Sequence, residues 1–190
     1  MMNRKNKGEY GYRDYRRKAR LVMVGIGVAA ILIQLGARGL TDNEAAKNIL
    51  TVMAVLSVLP TANLASPLLA SWRYRTPSEA FYEKVHAHEG EYEILYDLIV
   101  TTKEWILPLD AVIVHPKGIY AYCTSPKVEI PKAEKTLNEF LRAQKLDGNL
   151  KLIKDEKSFF QRMKELKPSS SYEDDGSVEY ASNFLKNMSM

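Results

Sequence analysis

Cysteine occurs once in these 190 residues, at Cys123. A single thiol excludes an internal disulfide framework and a cysteine-based zinc cluster within one chain, and it fits a reducing compartment. No Walker-type glycine loop and no G-x-S-x-G nucleophile elbow occurs either. The most informative absence is of charge. Leu21 to Ala37, "LVMVGIGVAAILIQLGA", runs 17 positions without a charged residue, and Asn48 to Trp72, "NILTVMAVLSVLPTANLASPLLASW", runs 25. Neither run has a polar stripe at helical period, so each belongs in lipid or inside a large core. A chain of this size has no core able to surround both. A buried helical hairpin is one rival reading, and a secretory signal peptide is another for the first run. The poor cleavage pattern over Gln34–Gly39 and the second run close behind weigh against the signal peptide. The sequence therefore predicts two membrane helices, the first spanning about 26 Å at ~1.5 Å per residue.

Orientation follows from the basic residues. Met1–Arg20 carries eight Lys/Arg against Glu9 and Asp14, the connection "RGLTDNEAAK" is nearly neutral, and Arg73, Arg75 and Lys84 follow the second run. Lys/Arg excess marks the cytoplasmic side, so both termini are expected there. "WRYR", Trp72, Arg73, Tyr74 and Arg75, reads as a membrane-interface anchor, with rings at headgroup level and guanidinium groups toward an anionic leaflet. Gly25 and Ala29, and Ser57, Thr61 and Ala65, are spaced four apart and predict close helix approach. Pro60 and Pro67 are expected to kink the second span. With no Asp, Glu, Lys, Arg or His inside either span, a transport pathway is disfavoured. The basic tail interleaves Tyr10, Tyr12 and Tyr15 with its cations. That composition suits single-stranded nucleic acid, but just ahead of a span the same charges serve topology and attraction to anionic lipid.

After the anchor, Thr76 as N-cap, Pro77 at the first helical position and Glu79 three residues after the cap predict a helix to about Glu89. "YEILYDLIVTT" reads as a strand, and "ILPLDAVIVHPKGIYAYCTS" as two strands around a Pro/Gly turn. Both faces of that hairpin are apolar: Val112, Val114, Ile119 and Ala121 on one, Ala111, Ile113, Tyr120 and Tyr122 on the other, the pattern of central strands. A helix with Ala133, Leu137, Phe140 and Leu141 at helical spacing comes next. A short strand "LKLIK" and a helix capped by Asp155 presenting Phe159, Phe160 and Met163 follow. The order predicts a small α/β or α+β domain. An acidic linker then leads to a terminal helix with Val178, Ala181, Leu185 and Met188 on one face.

The stretch "LYDLIV...ILPLDAVIVHPKGIYAYCTS" resembles the nuclease-related domain (NERD), a branch of the restriction-endonuclease-like PD-(D/E)xK superfamily. The resemblance covers roughly Gly90 to Ser125, with the later helix, strand and helix matching in order. It implies a strand bearing a metal-binding Asp, a glycine turn, and a strand bearing an acid-x-Lys motif against flanking helices. Asp110 falls on that carboxylate and Gly118 on the turn glycine, whereas the acid and lysine positions fall on Cys123 and Ser125. With a two-residue loop at Pro116–Lys117, Asp110 lies across from Cys123; a bulge at Gly118 would shift the partner by one. The upstream Glu of the family matches Glu89 or Glu91. Magnesium takes hard oxygen ligands, for which thiol is a poor substitute. A serine supplies no charge to activate water or offset the transition state. Asp110 with no ancestral meaning, as a strand-entry residue, stays open beside this. His86 and His88, two apart on a helix, point to different faces and do not form a metal site. His115 caps the turn, and Cys123 sits in a buried strand where thiols are inert.

The expected organisation is a basic tail over 1–20, a two-helix transmembrane hairpin over 21–72, a small cytoplasmic restriction-endonuclease-like α/β domain over 76–168, and an acidic linker with terminal helix over 169–190. The expected function is that of a bacterial membrane-anchored, catalytically degenerate binding module, a pseudoenzyme held in the inner membrane. Its partners are the lipid bilayer and an unidentified protein or nucleic acid, with no small-molecule substrate, cofactor or metal. The alternatives are an active membrane-tethered, metal-dependent nuclease with a relocated site built on Lys127 and Glu129, and a small signalling or assembly subunit.

Overall fold

The computed structural model describes residues 4–102, 104–173 and 175–190, so Asp174 of the acidic linker and the first three residues of the tail lie outside the described residues. The chain divides into two compact units, one of Asp14–Arg73 and one that joins Met1–Arg13 to Tyr74–Met190. The tail read as separate thus has its first part within the larger unit.

The smaller unit is a pair of helices. Helix α1 runs Tyr12–Leu40, and α2 runs Glu44–Ser71 with Asn43 as N-cap, its side chain accepting from the Ala45 and Ala46 N–H groups. Both are long and apolar enough to cross a membrane. Small residues fill the seam: Ala54 is buried, Thr51, Ser57, Thr61 and Ala65 are half-buried, and a Cβ on Gly27 would run into the Thr61 side chain. The expected Ser57/Thr61/Ala65 stripe is therefore at the contact. On α1 the close approach belongs to Gly27, because Gly25 has nothing within 4 Å of a built Cβ. Helix α2 continues through both Pro60 and Pro67.

The larger unit contains α3 (Glu79–His86), β1 (Glu93–Thr101), β2 (Ile106–His115), β3 (Gly118–Tyr122), α4 (Ile130–Ala143), β4 (Leu150–Ile153), α5 (Glu156–Glu165) and α6 (Ser177–Met188). The four strands form one mixed sheet in the order β1-β2-β3-β4, antiparallel except for the parallel pair β3 and β4. Helix α4 supplies the crossover that a parallel pair requires. The layout is α+β. His115 pairs with Gly118, so Pro116–Lys117 is a two-residue loop without a bulge. Gly118 is obligatory there, since its φ is 145° and a Cβ would lie 2.7 Å from the Asn149 carbonyl oxygen.

Each sheet face has its own core. Val112, Val114, Ile119 and Ala121 pack with Leu137 and Leu141 of α4 and Ala181 and Leu185 of α6. Ala111, Ile113 and Tyr122 pack with Phe81 of α3 and Phe159 and Met163 of α5. The terminal helix thus docks on the sheet of its own chain. Two details depart from expectation. Helix α3 is capped by Ser78, whose hydroxyl accepts from the Phe81 N–H, and it ends at His86 rather than Glu89. Phe140 is exposed, because the core-facing stripe of α4 is Ala133, Leu137 and Leu141.

Both sheet edges are closed from within. On β4, Asn138 and Glu134 of α4 accept from the Leu150 and Leu152 N–H groups, each at 2.7 Å. On β1, the Tyr96 N–H donates to the Gly8 carbonyl at 2.8 Å, the Ile99 N–H to the Ser189 hydroxyl at 3.0 Å, and the Met190 N–H to the Ile99 carbonyl at 3.0 Å. An open edge is a template for unwanted pairing, and these contacts remove it.

Candidate functional site

Between its terminal residues Glu93 and Thr101, strand β1 carries one charged side chain, Asp97, and β2 is apolar except for Asp110 and the terminal His115. A carboxylate buried in an apolar strand needs a cation or several donors to be tolerated. The register pairs Tyr96 with Ala111 and Leu98 with Leu109, which sets Asp97 across from Asp110. Asp97 adopts φ 57°, a left-handed conformation that is uncommon for a non-glycine residue. Asp97 is 1% exposed and Asp110 6%.

The cation that serves both is Arg13, itself 5% exposed. One terminal nitrogen, Nη1, donates to Asp110 Oδ1 and, at 3.0 Å, to the Arg75 carbonyl; Nη2 donates to the Leu98 carbonyl at 2.9 Å. Its Nε lies 3.7 Å from Asp97 Oδ1. The other Asp97 oxygen accepts from the Thr76 hydroxyl and the Gly11 N–H, each at 2.8 Å, and from the Arg13 N–H at 3.4 Å. Asp110 Oδ2 accepts from the Thr124 hydroxyl at 2.8 Å. Burial pushes the Asp97 carboxyl up, while the Arg13 charge and the bonds from Thr76, Arg13 and Gly11 pull it back down. Thr76, read from sequence as a helix cap, spends its hydroxyl on Asp97, and Ser78 takes the cap.

The segment that delivers Arg13 is fastened along its length. Tyr10 stacks on Tyr82 with ring centroids 4.1 Å apart, and its hydroxyl donates to the Pro77 carbonyl at 3.0 Å. Tyr12 is buried. Two of the three tail tyrosines are thereby built into the fold, which weighs further against the nucleic-acid stacking that the sequence had already set below topology and lipid.

The residues singled out from sequence do not converge on one site. By register Asp110 lies across from Cys123, but the Cys123 N–H donates to the Ile153 carbonyl at 2.9 Å, and burial raises its thiol pKa, which keeps it protonated and inert. Ser125 is buried. His86 pairs with Glu89 at 2.7 Å and His88 with Glu91 at 3.2 Å, so these four residues form two separate surface pairs. Among the described residues no group of three or more His, Cys, Asp or Glu side chains is placed to hold a metal ion. In the anchor, Trp72 and Arg73 close the helical unit, and the Arg17 guanidinium lies 6.0 Å from the Trp72 ring centroid. Tyr74 and Arg75 open the larger unit. His115 caps the β2–β3 turn by accepting from the Lys117 N–H at Nδ1, 3.1 Å, which leaves Nε2 to donate to the Lys167 carbonyl at 3.0 Å.

Sequence reasoning passed over Asp97 and Arg13. The available signal was the pair of isolated carboxylates in otherwise apolar strands, which together demand a buried cation. The arrangement can fix the first residues of α1 to the sheet, and it leaves the Asp110 oxygens committed to Arg13 and Thr124. Comparison of the chain with protein-family models, with curated proteins and with solved structures finds no match.

Proposed function

We propose that the protein is a two-pass inner-membrane protein with both termini in the cytoplasm, whose larger unit is a nuclease-like but catalytically inert module that binds a protein or nucleic-acid partner at the membrane. One observation carries this reading: Arg13, in the first turn of α1 and ahead of its uncharged run, is buried between Asp97 and Asp110, from after the second apolar helix. That contact supports a topology in which the two flanks share one side of the bilayer, and the Lys/Arg bias favours the cytoplasmic side. It also places a guanidinium at the carboxylate that the resemblance to the nuclease-related domain assigns to metal. Cys123 and Ser125 stand where that family has its acid and lysine, which supports loss of cleavage.

The test has two arms on the full-length chain. Carbonate-washed membranes should retain it, and single cysteines added near residues 5 and 188 should both be shielded from an impermeant thiol reagent in intact cells. Purified in mild detergent, it should cleave neither DNA nor RNA with magnesium or manganese above the level of Asp110→Asn. Metal-dependent cleavage abolished by Asp110→Asn would replace the inert module with an active tethered nuclease.

A further inference from the structure

Helix α2 treats its polar side chains in two ways. The hydroxyls of Thr51, Ser57, Thr61 and Ser71 each donate to the carbonyl four residues back, at 2.8, 2.8, 2.7 and 2.7 Å. The one amide in the α1 span, Gln34, reaches Ser57 at 3.4 Å. Asn63 and Ser66 are different. Both are exposed, and neither side chain has a partner among the described residues. They lie on the side of α2 away from the Thr61 seam, in line with Leu56, Leu59 and Ala70, all exposed. Asn63 is nine residues before Trp72, about 14 Å along the helix, which is close to mid-bilayer when Trp72 sits at headgroup level. Its side chain is too short to reach water from there. An unpaired amide in hydrocarbon is strongly disfavoured, and pairing across helices is the available remedy.

We propose that this face of α2 is a self-association surface on which Asn63 of one copy hydrogen-bonds to Asn63 of a second copy; the proposal rests on the membrane reading above. A carboxamide carries both donor and acceptor, so it is its own complement across a two-fold axis. A second copy inserted the same way presents its amide at the same depth without any further matching. Ala62, Ser66 and Ala70 alongside are small enough for two α2 helices to come close.

The full-length chain, fluorescently labelled and reconstituted in phosphatidylcholine/phosphatidylglycerol vesicles, is counted by stepwise photobleaching as its density falls. Two steps per spot are expected for the wild type. Asn63→Leu should raise the density for half-association about tenfold, whereas Asn63→Gln, which keeps the amide, should stay near wild type. Single copies at every density, or association unchanged in Asn63→Leu, would overturn self-pairing while leaving the membrane reading intact. A complex with a different membrane protein that Asn63→Leu abolishes would also overturn it. Failure of the chain to enter vesicles would remove both readings together.

Discussion

The two units solve opposite packing problems. In the helical pair the seam is small and partly polar, Gly27 against Thr61 and Gln34 against Ser57, while Ile26, Leu32, Val55 and Leu59 face outward. In the sheet unit most aliphatic and aromatic residues are inside, and among the described residues the buried charge there is the Arg13, Asp97 and Asp110 cluster. On the proposed membrane reading, the inversion reflects different surroundings for the two parts. Water rewards burial of apolar surface, whereas between helices in lipid only close packing and hydrogen bonds distinguish contact from separation.

The sharpest way to break this contrast is to remove the cation at the centre of that cluster. Arg13→Ala leaves Asp97 and Asp110 facing each other without compensation and should destabilise the sheet unit by about 3–5 kcal/mol. Denaturant unfolding of the full chain in mild detergent measures it. Adding Asp97→Asn and Asp110→Asn should recover part of the loss, since the remaining amides no longer repel; no recovery would mean that the Arg13 stem matters through packing alone. A single new charge makes the complementary test. Val55→Asp on the outward face of α2 should disfavour insertion by about 2.5–3.5 kcal/mol, read as the fraction lost from carbonate-washed membranes. The same charge at exposed Lys157 should shift stability by no more than about 0.5 kcal/mol. Equal effects at the two sites would erase the distinction between the units.

A smaller effect is expected at the closed sheet edge. Asn138→Ala leaves the Leu150 N–H and carbonyl unpaired and should lower stability by about 1–2 kcal/mol. Protection of the Leu150 amide from hydrogen exchange, taken beside the overall unfolding energy, locates that loss at the edge.

What the sequence reveals depends on how far apart the interacting residues are. The β2–β3 hairpin is legible because its register follows from a two-residue loop and from alternation within twenty residues, and both faces pack as that alternation predicts. The apolar helices are legible from absence of charge alone. Phe140 is misjudged because a helical stripe read at spacings of three and four admits one residue too many, and the narrower stripe facing the sheet excludes it. Gly25 and Gly27 are indistinguishable as small residues until the facing helix selects one. Arg13 lies 84 residues from Asp97 and 97 from Asp110, and no local pattern ties them. Only the energetic demand of two isolated carboxylates pointed there.

The least disruptive probe is pH. Among the described residues, Lys117 in the turn, Tyr92 before β1 and Tyr172 beyond α5 face His115, the two rings edge-on with centroids 6.0 and 5.1 Å away. Burial lowers its pKa below the usual histidine range, and the Lys117 charge adds to that, against the opposing bond to the Lys167 carbonyl. The unfolded state therefore takes up the proton first as pH falls. His115 contributes stability that is fully present above about pH 6.5 and is lost as pH drops through its folded value, with a slope of at most about 1.4 kcal/mol per pH unit. Protonation also removes the acceptor at Nδ1, so the turn loses its bond from the Lys117 N–H. Asp97 acts with the opposite sign, because its raised folded pKa means that ionising it on the way up from acid opposes folding. The difference in unfolding free energy between wild type and His115→Gln, followed from pH 7.5 to 5, isolates the histidine from every carboxylate. It should shrink steadily toward acid, and a difference that stays constant would mean that His115 holds the turn without sensing protons.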